Sequence, residues 1–265
     1  MGDTPGFETT RLRLRKWRDS DLLPFSVMNA DPSVIEYLPH ALSRDESDAF
    51  AGRIGAHFAE RGFGLWAVEV LGIAEFIGFI GLSVPASIMP FTPCVEVGWR
   101  IAAQHWGHGY ATEGARAALA FGFEQLGLDE IVSFTVPANR RSRRVMEKLG
   151  LRRDAHGDFD HPRFPDGHVL QRHMLYRLSR AAWRGSQADS LSVWKLRGYD
   201  AFSAEAYPIA GDYGSEAEAI LAAERVLADL ERQQPSQSSG GQQGIQDQVF
   251  IVRPNGTAFL YEKPA

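Results

Sequence analysis

Apolar and polar residues alternate near the start of the chain, where Leu12 and Leu14 are separated by arginines in the stretch TTRLRLRKW. A period of two residues is typical of a strand with one face in solvent. The residues that follow lose this alternation and predict a short helix over 21–28, with Ser20 as a possible N-cap. The chain is therefore expected to begin with a strand and then a helix.

A longer helix is predicted after residue 43, because apolar residues recur at four-residue intervals between positions 50 and 58. Ser43 and Glu46 stand three residues apart ahead of it, which is the spacing of a capping box. Gly62 or Gly64 would end the helix, since glycine adopts the left-handed conformation that often closes one.

Three runs rich in β-branched and aromatic residues follow, at 65–70, 76–84 and 94–101, with turn residues between them. Strands joined by such short connections favour an antiparallel meander. The next segment, 112–126, has one apolar stripe of helical period and Gly127 at its end, so it predicts an amphipathic helix.

A strand at 130–136 and a helix at 140–149 that ends at Gly150 come next, and 167–178 would supply the last strand of this part. Strands that alternate with helices predict a mixed α/β sheet with at least one strand-helix-strand crossover. We expect these elements to form one domain over residues 1–180.

Residues 181–190 are expected to be a linker, and residues 191–265 a small second domain of the order ββαββ. Its most regular element is an amphipathic helix over 215–232. A low-complexity stretch follows at 233–243, and the Asn-Gly pair at 255–256 predicts the turn of a β-hairpin. The role of this domain is open.

Composition and charge narrow the class of protein without changing this outline. The chain has 265 residues, 44% hydrophobic and 23% charged, which is enough for one sizeable core and a second small one. A net charge of −5 argues against nonspecific nucleic-acid binding. No stretch approaches the ~20 apolar residues of a membrane span, so a cytoplasmic location is expected. The single cysteine, Cys94, stands in an apolar run and is expected to be a core thiol.

The stretch QHWGHGYA, residues 104–111, places two glycines between a predicted strand and a predicted helix. It is not a P-loop, because no Gly-Lys pair follows, and Thr112 stands where a dinucleotide motif needs a third small residue. Free N–H groups in a first helical turn form an anion site, which Gly107 and Gly109 would let a phosphate approach. A plain turn is the alternative.

Several ordered stretches resemble the GNAT superfamily of N-acetyltransferases over about residues 7–179. Gln104, Gly107 and Gly109 match its signature Q/R-x-x-G-x-G/A, and NRRSRRVMEKLGL resembles the helix that follows. TTRLRLRKW, GWRIAAQHWGHGYATEGARA and DHPRFPDGHVLQRHMLYRL look most like the ribosomal-protein N-acetyltransferase branch, RimJ/RimL-like. The resemblance implies the acyl-CoA N-acyltransferase fold and acetyl-CoA as co-substrate.

By this resemblance, the strand before the loop splays from its neighbour and pairs with the pantetheine arm, while the loop wraps the pyrophosphate. A strand N–H, at Trp99 or a neighbour, would stabilise the charge that develops on the carbonyl oxygen. The residues expected to bind acetyl-CoA are Val97, Trp99, Arg100, Ile101, Gln104, Gly107, His108, Gly109, Tyr110, Ala111, Thr112, Asn139 and Ser142.

Asn139 stands at the family position that contacts the cofactor, and equally at the N-cap of the next helix. Many relatives carry a tyrosine acid seven residues further on, where this chain has Met146. The resemblance offers Ser142 instead as the acid that protonates the leaving thiolate; an ordinary polar residue in a first helical turn is the alternative. The basic run at 140–144 faces either solvent or the cofactor's 3′-phosphate.

The reaction also needs a base that takes a proton from the amine. Glu96, on the strand before the loop, and His161 are the candidates, with a solvent-facing strand residue and an ordinary loop residue as the respective alternatives. Glu113 suits the positive end of a helix and is expected to be structural. None of the eight histidines has metal-site spacing, so no metal is expected.

These observations predict an enzyme that moves an acetyl group from acetyl-CoA to a primary amine, with a protein N-terminus as the leading acceptor. A small amine, such as an antibiotic, a polyamine or an amino acid, is the second acceptor class. An inactive sensor or scaffold that binds acyl-CoA is a third interpretation, which the missing tyrosine permits. We expect a monomer or homodimer and no nucleic-acid or membrane partner.

Overall fold

The computed structural model describes residues 6–191, 193–200, 205–233, 247–254 and 257–262. The chain divides into two compact units, Met1–Trp183 and Arg184–Ala265. The division falls inside helix Arg180–Leu191, so the segment expected as a linker is helical, which its alanines and arginines favour. Within the described ranges, we find no helix that is long and apolar enough to cross a bilayer.

The first unit is built on one mixed sheet. Its strands are β1 (Phe7–Glu8), β2 (Leu12–Arg15), β3 (Leu65–Val70), β4 (Ala74–Ser83), β5 (Glu96–Ile101), β6 (Glu130–Thr135), β7 (Arg152–Asp160) and β8 (Arg172–Ser179). Their order in the sheet is β1-β2-β3-β4-β5-β6-β8-β7, and all pairs are antiparallel except β5 with β6. The predicted mixed α/β sheet is confirmed.

The helices of this unit are α1 (Leu22–Ala30), α2 (Pro32–Ile35), α3 (Arg44–Arg61), α4 (Tyr110–Ala120) and α5 (Arg140–Lys148), followed by α6 (Arg180–Leu191). The predicted capping box of Ser43 and Glu46 begins α3, and Gly62 ends it with φ 75°. The expectation that Ser20 caps α1 is wrong. Asp19–Asp21 form a 3-10 turn, and Asp21 directly precedes the helix.

The connection from β5 to β6 is the predicted crossover through a helix. This helix, α4, begins at Tyr110, two residues earlier than expected, and continues as a π-helical turn over Phe121–Gln125. Ala115 on its apolar stripe is inaccessible to solvent. Gly114 permits close packing, because a Cβ there would lie 2.5 Å from Cδ1 of Ile80. The crossover therefore places the N-terminus of α4 just beyond the end of β5.

An apolar cluster covers each face of the sheet. Ile80 of β4 belongs to the larger cluster, together with Ala115 of α4. Phe79, its neighbour in the strand, belongs to a separate cluster with Phe25 of α1 and Ala51 of α3. Adjacent residues of a strand point to opposite faces. Helix α4 therefore covers one face, and α1 and α3 cover the other, which we call the α1/α3 face.

The end of the first unit differs from the prediction of one strand at 167–178. The strand there, β8, begins only at Arg172, and a second strand, β7, pairs with it in antiparallel fashion. The sequence of β7, RRDAHGDFD, has no apolar alternation, because β7 lies at the edge of the sheet with mostly solvent-facing side chains. Hydrophobic periodicity therefore missed it.

The second unit has the predicted order ββαββ. Its elements are β9 (Trp194–Asp200), β10 (Glu205–Tyr213), α7 (Glu216–Gln233), β11 (Asp247–Val252) and β12 (Ala258–Leu260). The strands form an antiparallel sheet in the order β10-β9-β11-β12, and Ala219 and Ala223 of α7 are buried with its core. The predicted Asn-Gly turn at 255–256 and nearly all of the low-complexity stretch lie outside the described residues.

Candidate active site

The parallel strands β5 and β6 separate soon after they meet. Their ladder consists of one residue pair, Glu96 opposite Val132, and the Val132 N–H donates to the carbonyl of Val95 at 2.9 Å. Beyond that pair, 97–101 has no strand neighbour on this side within the described part of the chain. The sheet therefore has a gap in its middle, at the carboxyl end of β5.

Backbone groups of β5 alternate between β4 and this gap. The Ala102 N–H donates to the carbonyl of Ile77 at 2.9 Å, on the β4 side. In an antiparallel pair, every second residue of a strand directs its N–H and carbonyl to the same neighbour. The peptide groups of the even-numbered residues of β5 therefore also face β4. Arg100 is one of these, so it can take part in a site at the gap only through its side chain.

The odd-numbered residues of β5 direct their peptide groups away from β4, toward β6 and the gap. They are Val97, Trp99 and Ile101. The carbonyl of Ile101 accepts a hydrogen bond from Nε1 of Trp106 at 2.7 Å. The Glu96–Val132 pair takes up the Val97 N–H, which donates to the Val132 carbonyl, so the Val97 carbonyl and both peptide groups of Trp99 remain as an open strand edge to which an extended ligand can add hydrogen bonds.

The glycine loop continues directly from this edge. Gln104 lies in a 3-10 turn, and Gly107 and Gly109 have φ angles of 82° and 81°. A Cβ at Gly107 would meet nothing within 4 Å, so the positive φ, and not crowding, favours glycine there. Gly109 is the N-cap of α4, and the N–H groups of 110–112 have no partner within a helix. The loop and the helix dipole together favour an anion.

Arg11 and Glu113 hold this loop in place. The Glu113 carboxylate accepts hydrogen bonds from Nε of Arg11 at 2.7 Å and from the hydroxyl of Thr9 at 2.6 Å. Nη1 of Arg11 donates to the carbonyl of His108 at 3.0 Å, and the His108 ring stacks on Tyr110. Burial alone would raise the pKa of Glu113, but the hydrogen bonds from Thr9 and Arg11 lower it. Glu113 therefore has the structural role expected of it.

Asn139 caps α5. Its Oδ1 accepts from the Ser142 N–H at 3.1 Å, and its Nδ2 donates to the hydroxyl of Thr135 at 3.1 Å. The Ser142 hydroxyl is half-buried and has no hydrogen-bond partner among the described residues. Met146, one helical turn further, is 1% exposed and belongs to the core. The side chain at that position therefore points into the protein.

The basic run on α5 has contacts at two of its arginines. Nη2 of Arg141 lies 2.6 Å from Oε2 of Glu36, and its guanidinium stands 4.4 Å from the Trp106 ring. A hydrogen bond from Tyr37, followed by that from Arg141, lowers the pKa of Glu36. Arg143 donates to the carbonyl of Pro137 at 3.1 Å. Arg141 thus links the glycine loop, through Trp106, to the segment after α2.

Glu96 and Arg100 point toward the α1/α3 face, because the guanidinium of Arg100 lies 5.5 Å from the ring of Phe79 on that face. Glu96 is half-buried, and its carboxylate has no hydrogen-bond partner in the residues that the structure describes. Loss of solvent raises the pKa of Glu96 to about 8, and the positive charge of Arg163 opposes this only in part. Such a carboxyl group can take up a proton near neutral pH.

A polar network that the sequence did not reveal supports Arg100. Nη1 of Arg100 donates to Oδ1 of Asn29 at 2.6 Å, and Nδ2 of Asn29 donates to the hydroxyl of Ser47 at 2.8 Å. Asn29 and Ser47 are completely buried. They come from α1 and α3, whose sequences carry no motif at these positions, so only the packing of the two helices brings them to β5.

His161 lies in an aromatic cluster at the end of β7. Its ring centroid is 5.8 Å from that of Phe134 and 4.9 Å from that of His173. Burial, and then the neighbouring charges of His173 and Arg163, lower the pKa of His161 to about 4. Its Nδ1 also accepts from the backbone N–H of Arg163 at 3.1 Å. His161 is therefore neutral at pH 7 and a weak base.

Cys94 is half-buried, and burial, followed by the charge of Glu96, raises the pKa of its thiol to about 11. It is thus a protonated thiol at neutral pH, not a nucleophilic thiolate. Among the described residues, no three histidine, cysteine or acidic side chains are arranged to hold a metal ion.

The sheet splits between its parallel strands, and a glycine loop and a helix N-terminus follow at the split, an arrangement that favours an anionic ligand. Residues 11–152 match the family described as Acetyltransferase (GNAT) domain. The chain therefore belongs to the GNAT family and is an N-acetyltransferase of that family.

Relatives and solved structures agree with this assignment. The uncharacterized protein YkkB of Bacillus subtilis is 33% identical over 144 residues, which is 54% of this chain and 83% of YkkB. The FsC-acetyl coenzyme A-N(2)-transacetylase of Aspergillus fumigatus is 34% identical over 148 residues, 54% of this chain and 60% of that protein. The crystal structure of a GNAT-family acetyltransferase from Bacillus anthracis is 26% identical, with a TM-score of 0.56, and the match covers 67% of this chain and 99% of that one.

Proposed function

We propose that this protein transfers the acetyl group of acetyl-CoA to a primary amine, and that the preferred acceptor is the α-amine of a peptide or protein, as in the RimJ/RimL-like branch. The observation that carries the proposal is the gap between β5 and β6, which opens directly in front of the glycine loop. The name of the Aspergillus fumigatus relative, which specifies acetyl coenzyme A and an N-acetyl transfer, supports the donor.

The donor would be bound by two sets of backbone groups. The Val97 carbonyl and the N–H and carbonyl of Trp99 would pair with the pantetheine arm as an added strand, because they face the gap and are not used by β6. The N–H groups from Gly107 to Thr112 would bind the pyrophosphate. We retain Gln104, His108, Tyr110, Ala111 and Ile101 as flanking contacts, and we assign no backbone role to Arg100.

The developing negative charge on the acetyl oxygen needs a donor fixed in advance. The Trp99 N–H meets this requirement, because it points into the gap and no carbonyl of β6 lies opposite it. This N–H is held by the sheet, so it needs no rearrangement as the charge forms.

Glu96 is the better of the two candidate bases. With a pKa of about 8 it accepts a proton far more readily than His161, whose pKa of about 4 reflects its apolar surroundings. The amine would lose its proton to the Glu96 carboxylate, directly or through a water molecule, and then attack the carbonyl carbon. A base of this strength matches an acceptor of similar pKa.

That match favours an α-amine. An α-amine with a pKa near 8 is roughly one-tenth neutral at pH 7, which costs about 1.4 kcal/mol. For a lysine side chain with a pKa near 10.4, forming the neutral amine at pH 7 costs about 4.6 kcal/mol by the same relation. Glu96 is a strong enough base to deprotonate an α-amine and too weak a base to deprotonate a lysine side chain.

Ser142 is the proposed acid. When the C–S bond breaks, the electron pair goes to the sulfur, and the Ser142 hydroxyl would donate the proton that makes CoA a neutral thiol. Its hydroxyl is half-buried, with no other hydrogen-bond partner among the described residues. Asn139, which holds the Ser142 N–H, would position it.

Calorimetry with CoA and acetyl-CoA tests the donor site, and binding of neither would refute the proposal. A thiol-release assay then compares peptides with free α-amines, the same peptides with blocked N-termini and one lysine, and small amines. We expect turnover only with the free α-amines. Tight donor binding without turnover on any amine would instead indicate an inactive sensor.

A further inference from the structure

Arg100 is a cation without a carboxylate partner on the α1/α3 face, the face of β5 that also carries the proposed base Glu96. We call this the acceptor side of the site. The Arg100 side chain is half-buried, and its guanidinium lies 5.5 Å from the ring of Phe50 and 5.5 Å from that of Phe79. No Asp or Glu of the described residues forms an ion pair with it. Removing a charge from water without an opposite charge is unfavourable, so such a cation is typical of a site for an anion.

The network behind Arg100 orients it instead of neutralising it. Oδ1 of Asn29 accepts from one guanidinium nitrogen at 2.6 Å, and Asn29 is fixed in turn by Ser47. A guanidinium has five N–H donors, so several remain for a ligand. Asn29 and Ser47, two buried polar residues beside an apolar cluster, therefore fix the orientation of the Arg100 guanidinium.

The α1/α3 face of β5 leaves open space between Glu96 and Arg100. Gly98 stands between them on the same face, and a Cβ there would meet only Oε1 of Glu96, at 3.9 Å. Glu96, the proposed base, thus lies on one side of Gly98, and Arg100, which has no carboxylate partner, lies on the other side.

A second cation lies near both groups. The positive charge of Arg163 lowers the pKa of Glu96 and that of Arg100, so Arg163 is within electrostatic range of both groups. Arg163 is exposed and forms no ion pair with a carboxylate in the described ranges. The acceptor side of the site therefore carries two unpaired guanidinium groups beside a single carboxyl group.

We infer that the acceptor carries a carboxylate in addition to its amine, and that this carboxylate binds Arg100, assisted by Arg163, while the amine lies against Gly98 and Glu96. The inference rests on the proposed function. Glu96 reaches the position at Gly98 with its side chain, whose Oε1 would lie 3.9 Å from a Cβ there. Gly98 and Arg100 are alternate residues of the strand, so their Cα atoms lie roughly 7 Å apart. A peptide with an acidic third residue presents its α-amine and carboxylate at about that separation when extended.

The test compares two peptides that begin Ser-Gly-Asp and Ser-Gly-Asn and are otherwise identical, with spermidine as a polycationic amine. We expect kcat/KM to favour the Asp peptide by at least about tenfold, as for a charge-assisted hydrogen bond, and spermidine to be the poorest acceptor. In Arg100→Gln the ratio between the two peptides should fall to about 1.

Arg152→Gln is the matched control, because Arg152 is exposed at the start of β7 and away from these contacts. It should keep the wild-type ratio, and Arg163→Gln should fall between the two. CoA affinity, measured by calorimetry, should be unchanged in Arg100→Gln, which shows that the variant is folded and that Arg100 acts on the acceptor.

Equal kcat/KM for the two peptides in the wild-type protein would overturn the inference and leave the proposed function standing. A preference for Asp that survives in Arg100→Gln would also overturn it. Loss of CoA binding in Arg100→Gln with a wild-type circular-dichroism spectrum would place Arg100 in the donor site and refute the inference. If that variant does not fold, a full Asp preference in Arg163→Gln overturns the inference instead. Turnover with none of the acceptors would refute the proposed function, and the inference with it.

Discussion

Replacement of Glu96 by glutamine removes the proposed base with little change in shape. A base must be deprotonated to act, and the pKa of Glu96 is raised to about 8 by burial. Its carboxylate fraction is then roughly 0.1 at pH 7 and roughly 0.9 at pH 9. The wild-type kcat should therefore rise about ninefold over this interval, with an apparent pKa near 8.

We expect Glu96→Gln to lose about 10²- to 10⁴-fold in kcat, the usual effect of removing a general base, and to lose this pH dependence. The assay is kcat at saturating peptide and acetyl-CoA from pH 6 to pH 9.5. Glu147→Gln is the control, because Glu147 is exposed on α5. A rise with pH that persists in Glu96→Gln would assign it to the acceptor amine and refute a catalytic role for Glu96.

The same substitution has an independent effect on stability. The folded protein holds a proton on Glu96 up to a pH of about 8, whereas the unfolded chain releases it near 4.5. The free energy of unfolding contributed by this group therefore falls as the pH rises between those values. Between pH 6 and pH 9, the melting temperature of Glu96→Gln should therefore decrease by less than that of the wild-type protein. An equal loss in both proteins would show that the carboxyl group is not buried.

Three further predictions concern the donor side of the site. Ser142→Ala should lower kcat by about 10²-fold with CoA affinity almost unchanged, and an unchanged kcat would remove Ser142 as the acid. Gly109→Ala places a side chain on a φ of 81°, a strain of about 1–2 kcal/mol that the free loop can relieve by changing conformation, so CoA, which needs the original conformation, should bind about tenfold more weakly. Gly52→Ala in α3, with open space around it, should leave that affinity unaltered, and equal affinities in the two variants would contradict the proposed loop role. Arg141→Gln should weaken binding of CoA but not of dephospho-CoA, measured by calorimetry; equal weakening would show that Arg141 does not bind the 3′-phosphate.

Local patterns predicted most elements of this protein. The capping box at Ser43 and the glycine at 62 mark the ends of α3 correctly, because helix caps depend on residues a few positions apart. β7 was missed because its solvent-facing edge position removes the apolar alternation on which such a prediction depends. The roles of Glu96, Ser142 and the loop residues in catalysis and binding stay predictions.

The sequence by itself determined the family, the glycine loop and the order of most strands and helices, since each is written in short stretches of the chain. The tertiary structure decided which backbone groups face the gap and which side chains share a face of β5. Asn29 and Arg100 are 71 residues apart, and only the packing of α1 on the sheet brings them together. The raised pKa of Glu96 likewise depends on desolvation by surrounding residues. Long-range packing sets burial and charge environment, and no local pattern encodes them.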